Sequence, residues 1–224
     1  MRILITSGPT REYIDPVRFL TNASSGKMGL ALAEAVLKQG GQPVIVSGPV
    51  QVVYPANTEV HQVETTQQML QRCTALLPKC DGIIAAAAPC DFQPVSFSAQ
   101  KLQKSADENG MMLAFQETPD ILAALGQMKK PQQWSIGFAL ETADFQTAGK
   151  QHALQKLRKK NCSFIVLNAP NSISQDESTF HVFDAAGNLR LDFTGTKRSL
   201  AEKLLFLIEP NGIDNEQDST AYEH

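Results

Sequence analysis

No pair of cysteines in this 224-residue chain is spaced C-x-x-C: Cys73, Cys80, Cys90 and Cys162 are scattered, and His61, His152, His181 and His224 do not cluster. Neither a disulfide framework nor a zinc site is predicted, and the thiols are expected to be reduced. Long hydrophobic runs are missing too. The most apolar stretch, GIIAAAAP at 82–89, is far too short to span a bilayer, and the N-terminus runs into a strand with no basic region, apolar core and cleavage site. A cytoplasmic protein with no membrane partner is expected. Excess positive charge is also lacking: 20 Lys and Arg against 23 Asp and Glu give a formal charge of -3. That argues against non-specific nucleic-acid binding, which needs a basic surface. An anionic small molecule needs only local cations, and Arg11, Arg18, Lys27, Lys101 and Lys104 lie in site-like segments. There is no internal repeat and no low-complexity segment.

What is present is a regular alternation. Strand-like segments at 2–6, 43–47, 58–63 and 82–87 alternate with helical periods at 28–39 and 66–78. Met28, Leu32, Val36 and Leu37 share one side of the first helix. Met69, Leu70, Cys73, Leu76 and Leu77 share a face of the second, with Thr65 or Thr66 as N-cap. The order predicts a parallel sheet with helices on both faces, and the all-apolar 82–87 segment suits a central strand. Residues 88–117, with Pro89, Pro94 and a strand-like 111–116, read as an excursion from the sheet. The pattern resumes with a short helix after Asp120, strands at 135–139 and 164–167 around a helix near 144–160, a hairpin of 179–183 and 189–193, and a closing helix at 199–208. The predicted fold class is α/β: a three-layer α/β/α, Rossmann-like, mostly parallel sheet. With 42% hydrophobic residues the chain can bury one core, so 1–209 is read as a single domain and 210–224 as a frayed polar tail.

Between the first strand and the first helix stands GPTREYIDPVRFLTNASSGKMG, residues 8–29, where a short turn would suffice. A helix start at Ser24-Ser25-Gly26 offers N–H groups without intrahelical partners and the positive end of the dipole, which together make an anion site. Gly8 follows the strand at the carboxyl edge of the sheet, where open α/β sheets bind ligands. Asp15, Arg18 and Asn22 add an acid, a guanidinium and an amide. The segment is not a Walker A loop, since Met28 follows Gly26-Lys27 and Thr21 stands where glycine is needed, nor is it a G-x-G-x-x-G fingerprint. The plain alternative is a helix whose Ser24 or Ser25 caps the first-turn amides. A loop of this length without its own secondary structure favours a site.

Those residues resemble the signature of the phosphopantothenate-cysteine ligase family, the second half of the bacterial bifunctional coenzyme A biosynthesis flavoprotein. The resemblance continues in family order through AAAAPCDF at 85–92, KLQK at 101–104, ETPDIL at 117–122, IGFALET at 136–142, KLRKK at 156–160 with FIVLN at 164–168, and Lys197. It implies a stand-alone ligase, lacking the flavin-dependent decarboxylase half and so FMN. CTP with Mg²⁺ would activate the phosphopantothenate carboxylate as an acyl-cytidylate, releasing pyrophosphate, and the cysteine amine would then attack. A homodimer is implied, with 88–117 as dimerisation or lid element, and a separate decarboxylase is the candidate protein partner.

A carboxylate attacking an α-phosphate is anion meeting anion, so cations and N–H donors must shield the charge and align attacker and leaving group. By the resemblance, Lys101 serves this activation step; taken alone it is a solvated loop lysine. Asn22 contacts the acyl-nucleotidylate, where its amide can bond the carbonyl as it becomes an oxyanion; otherwise it is a turn-forming Asn. Arg18 is suited to grip a carboxylate or phosphate, or else pairs with Asp15 at the surface. Nucleotide contacts fall on Gly8, Ser24, Ser25, Gly26, Lys27, Met28, Ala87, Asp91 and Lys101. Phe138 and Asn168 would bracket and read the base, and Lys156 and Lys160, one turn apart, would meet the triphosphate. Asp91 is either a Mg²⁺ ligand or a ribose contact, Phe138 is equally a core residue, and the lysine helix is otherwise a solvated face.

Three positions depart from the family pattern: Pro89-Cys90 for a small aliphatic pair, Gln103 for a lysine, and Ala169-Pro170 after Asn168 for Asp-Val. They bear on the choice between CTP and ATP more than on reaction type. Two rivals share the fold. A nicotinamide-dependent reductase needs the glycine fingerprint and an acidic ribose reader after the second strand, where Ser47-Gly48-Pro49 stands. A non-catalytic nucleotide-binding relative has no use for both Asn22 and Lys101.

Overall fold

The structure, a computed structural model, describes residues 1–103, 110–140, 148–168 and 177–208. Its strands are β1 (Arg2–Ser7), β2 (Arg11–Asp15), β3 (Arg18–Thr21), β4 (Gln42–Ser47), β5 (Glu59–Gln62), β6 (Gly82–Ala85), β7 (Phe92–Pro94), β8 (Phe115–Glu117), β9 (Trp134–Leu140), β10 (Phe164–Asn168), β11 (Glu177–Asp184) and β12 (Leu189–Thr196). Its helices are α1 (Lys27–Lys38), α2 (Thr66–Leu76), α3 (Ile121–Met128), α4 (Ala148–Lys159) and α5 (Lys197–Leu207).

The two-residue period of β1 sets the layers. Ile3 and Ile5 point to one face, where Ile45, Ile84, Ile136 and Val166 join them beneath α1 and Leu200, Leu204 and Leu205 of α5. Leu4 points to the other, where it meets Val44, Val46 and Ile83 with Met69 and Cys73 of α2 and Leu125 of α3. Leu157 of α4 packs on Ile165 and Leu167 of that second face. The three-layer α/β/α expectation holds. Cys73, Cys80, Cys90 and Cys162 are buried and free.

The large sheet runs β12-β11-β10-β9-β6-β1-β4-β5, parallel from β5 to β10 with β11 and β12 antiparallel at one edge. The chain moves outward from β1 through β4 to β5, then crosses back to β6 on the other side of β1. Strand order therefore reverses between β1 and β6, and a ligand crevice belongs at their carboxyl ends.

Several boundaries differ from the sequence reading. Residues 8–29 are not a structureless loop: β2 and β3 pair antiparallel as a hairpin standing off the sheet. Its turn is closed by the Asp15 side chain, an interaction that leaves no apolar period in the sequence. Within the 88–117 excursion β7 and β8 form a separate two-stranded ladder, and β8 takes only 115 and 116 of the expected 111–116 strand and adds Glu117. α2 ends at Leu76 and tightens into a 3₁₀ turn that accommodates Pro78, while Thr65 is its N-cap in a capping box with Gln68. The predicted helix start at 144–147 and the tail at 210–224 lie outside the described residues. Among the described residues no helix is long and apolar enough to cross a membrane.

Candidate active site

Beyond Ser7, Gly8 (φ 74°) turns the chain over the carboxyl edge. Pro9 bridges Ala88, the Ala88 N–H donates to the Gly8 carbonyl (2.9 Å), and the Ala87 N–H donates to Thr6 Oγ1 (3.2 Å). These bonds stitch the segments leaving β1 and β6 together where the strand order reverses. Residues 85–89, small and half-buried, line the seam.

The start of α1 lies beside it. Its N-cap is Gly26 (φ 77°), which has no side chain to offer, and neither Ser24 nor Ser25 caps the helix. The N–H groups of Lys27, Met28 and Gly29 have no acceptor among the described residues, which is what an anion site requires. The cap is held from behind: Ser7 Oγ donates to the Gly26 carbonyl (3.4 Å) and Tyr54 donates to Ser7 Oγ (2.8 Å). Gly29 packs so closely on Ser7 that any Cβ would collide with it. The missing side chains of Gly8 and Gly26 both point at Val50 Cγ1, where a Cβ would sit 2.5 and 2.8 Å away. Val50, in the segment after β4, was not picked out from sequence; its signal was an apolar residue just past Gly48-Pro49.

The hairpin is built around Asp15. Its buried carboxylate accepts the Val17 and Arg18 amides on Oδ1 (2.9 Å each), and Arg18 Nη1 (2.6 Å) and the Leu102 N–H (3.1 Å) on Oδ2. Arg18 also donates to the Leu102 carbonyl at 3.1 Å from each terminal nitrogen. Desolvation pushes the Asp15 carboxyl up, but the three amides and then the Arg18 charge outweigh it and hold it below the ordinary carboxylate range. Its contribution to folding is therefore full above the unfolded carboxylate pKa and lost as pH falls through the lowered one. The surface pairing weighed for Arg18 exists, yet its side chain stays 43% exposed and keeps an open flank. The Asp-Pro dipeptide at 15–16 was the available turn signal.

At the hairpin's base, Thr21 Oγ1 donates to the Thr10 carbonyl (2.7 Å), and Asn22 Nδ2 donates to the Pro89 and Ala88 carbonyls (2.9 and 3.3 Å). Beneath lies a buried polar floor that sequence reasoning missed. Thr10 Oγ1 accepts the Cys90 N–H (2.8 Å) and bonds Thr66 Oγ1 (2.8 Å), and Glu12 Oε1 accepts the Thr66 N–H (2.7 Å). Cys90, one of the departures from the family pattern, is buried there, and burial pushes its thiol up.

Arg18 and Lys101, the latter beside the clamped Leu102, are thus held near the turn of the hairpin, while Asn22 sits at its base against the seam. Lys101 is exposed and makes no hydrogen bond or ion pair with a described residue. The Asp91 carbonyl accepts the Thr118 N–H (2.9 Å) while its carboxylate is exposed. Among the described residues no three His, Cys, Asp or Glu side chains cluster. A lone carboxylate suits Mg²⁺, which keeps waters and leans on phosphates. Phe138 is half-buried against the α1-side core, as are Met28 and Ala86, and buried Asn168 ends β10 opposite Leu140. From β1 to β10 is three strand steps, about 14 Å, a span that an extended nucleotide covers.

Lys156 and Lys160 are less directly placed. The last turn of α4 leads into the amino end of β10, and the Lys160 side chain pairs with Asp120, the N-cap of α3, at 3.2 Å. Gln103 is exposed; Lys104 and Ala169-Pro170 lie outside the described residues.

The model of the DNA/pantothenate metabolism flavoprotein C-terminal domain family matches residues 1–210. The chain belongs to this family. Among its relatives, the coenzyme A biosynthesis bifunctional protein CoaBC of Vibrio parahaemolyticus is 37% identical over 207 residues, 91% of this chain and 51% of that protein. The chain therefore spans about half the length of the curated relatives it matches. The crystal structure of the C-terminal domain of CoaBC superposes with a TM-score of 0.76 at 36% identity, covering 91% of each chain. A Cab2 mutant in complex with phosphopantothenate-cysteine shares the fold, with a TM-score of 0.70 and 15% identity over 91% of this chain and 85% of that one. The family resemblance read from the sequence is borne out.

Proposed function

We propose that this chain joins phosphopantothenate to cysteine, with CTP as co-substrate and an acyl-cytidylate as intermediate. The observation that supports the reading is a helix start with open amides beside the β1/β6 switch point, next to a hairpin that ties Asn22 to Pro89 at its base and clamps Leu102, the neighbour of Lys101, to Arg18 and Asp15 at its turn. The functions printed for the CoaBC relative and the ligand of Cab2 point the same way.

In the first step a phosphopantothenate carboxylate oxygen attacks the α-phosphorus of CTP, the bond to the β-phosphate breaks, and pyrophosphate leaves. Lys101 and the first-turn amides of α1 neutralise the charge gathering on the phosphates, and the open flank of Arg18 orients the carboxylate. Asp91 would hold either a Mg²⁺ ion, which would add to the neutralisation of the phosphates, or the ribose. In the second step the cysteine amine attacks the acyl carbon, the carbon–oxygen bond to CMP breaks, and the amine loses a proton. The Asn22 amide stabilises the oxyanion between. Phe138 and Asn168 bracket the base, with Asn168 offering both a donor and an acceptor to tell cytosine from adenine. The product keeps the cysteine carboxylate, so a decarboxylase is the matching partner activity.

The deciding assay is phosphopantothenate-dependent pyrophosphate release with CTP and ATP in parallel. CTP should support it; release with ATP alone would reverse the nucleotide assignment, and release with neither would remove the ligase reading. Asn22→Asp should still make the acyl-cytidylate but pass it slowly to cysteine, so that the intermediate accumulates in quenched reactions analysed by mass spectrometry. The exchange also removes the donor to Pro89, so thermal stability is measured alongside, and equal loss of both half-reactions would contradict the role.

A homodimer through the excursion is part of the same proposal. Phe92, Val95, Phe97, Met111, Met112 and Phe115 are all at least 43% exposed there, Met112 at 97%, an apolar display that monomers seldom keep. Light scattering should give twice the chain mass, and Phe97→Glu with Met112→Glu should halve it.

A further inference from the structure

We propose that Asp15 is a positioning residue: its carboxylate holds the backbone beside Lys101 onto the hairpin that carries Arg18 and Asn22, so that the activating cation is in place before the nucleotide arrives. This rests on the ligase reading and deepens it, since the family resemblance gives Asp15 no task.

The Asp15 side chain has no solvent exposure and more donors than a turn requires. The Val17 and Arg18 amides on Oδ1 are sufficient to close the turn. Of the two donors on Oδ2, only the Leu102 N–H comes from outside the hairpin, 87 residues along the chain. Arg18, itself held by Asp15, takes the Leu102 carbonyl from the other side. One ion pair therefore grips both backbone groups of Leu102. A second tie, from the Ser98 N–H to the Ile14 carbonyl (3.0 Å), fixes the same segment upstream. Lys101 lies between these two anchors, and its side chain has no partner among the described residues. A lysine on a free segment would have to be ordered during the reaction, whereas this clamp moves that entropy cost into folding.

Asp15→Asn is close to isosteric. Its remaining oxygen can still close the turn, but an NH₂ group then faces Arg18 and the Leu102 N–H. Leu102→Pro removes that N–H, fixes φ at 102 and restricts the Lys101 backbone before it, while both side chains of the Asp15–Arg18 pair are kept. Both variants should slow phosphopantothenate-dependent pyrophosphate release by about 10²-fold in kcat, the penalty of a misplaced group. The KM for CTP and the rate at which supplied acyl-cytidylate reacts with cysteine should be unchanged. In a Lys101→Gln background Leu102→Pro should cost nothing further, because the two act through one group, whereas Asp15→Asn should keep a residual cost through Arg18; a merely structural role would lower both half-reactions in every background. Amide hydrogen exchange at Leu102 should rise in Asp15→Asn. If exchange rises and activation stays at the wild-type rate, the proposal is overturned and the ligase reading stands. A wild-type protein that releases no pyrophosphate with CTP or ATP overturns both.

Discussion

Lys101→Gln should melt at the wild-type temperature and release pyrophosphate about 10²- to 10³-fold more slowly, the usual cost of losing one preorganised electrostatic contact. The structure separates the two halves of that expectation. Lys101 is exposed and bonds to no described residue, so its removal takes nothing from the fold. Other cations already have partners, Arg18 in Asp15, Lys160 in Asp120 and Arg11 in the Phe19 ring at 4.5 Å, and Gln103, standing where a family lysine is common, adds no charge. Single-turnover pyrophosphate release with a parallel melting curve tests this. Near-normal release by the folded variant would remove Lys101 from the activation step.

The parts of the fold that were legible in the sequence are those governed by local periodicity. Alternation in β1 and the helical period of α1 need only neighbouring residues, and Thr65 with Gln68 writes a capping box within four positions. The hairpin was hidden for the opposite reason. β3 is exposed along its whole length, so it carries no apolar alternation, and the contacts that define it run from Asp15 to Leu102 and from Asn22 to Pro89. The site was legible as a set of residues only through the family resemblance. Which of them share a surface was not, because that depends on the crossover from β5 to β6 that sets the 1–29 and 82–103 segments side by side. Val50 illustrates the limit. Gly8 and Gly26 were expected as nucleotide contacts, and the structure packs Val50 against the side of each where a Cβ would stand.

That packing sharpens what Gly26→Val should do. A β-branched residue at φ 77° costs about 1–3 kcal/mol in backbone strain, and a Cβ 2.8 Å from Val50 Cγ1 and 3.3 Å from Val52 Cγ2 adds an overpacking cost of about 1–3 kcal/mol. The variant should therefore melt well below wild type, by about 5 °C or more at roughly 2–4 °C per kcal/mol for a chain of this size. Destabilisation alone says nothing about phosphate, since Val50 accounts for it. The decisive quantity is the rise in stability that CTP produces, because a ligand at 100 times its Kd adds about 2.7 kcal/mol whatever the starting stability. If the triphosphate sits on the α1 amides, a valine that displaces Gly26 tilts the first turn away from it and the CTP-induced rise should largely vanish at the same nucleotide concentration. An undiminished rise on the lowered baseline would mean that residues 24–29 serve only to start the helix and that the phosphates bind elsewhere along the β1/β6 seam.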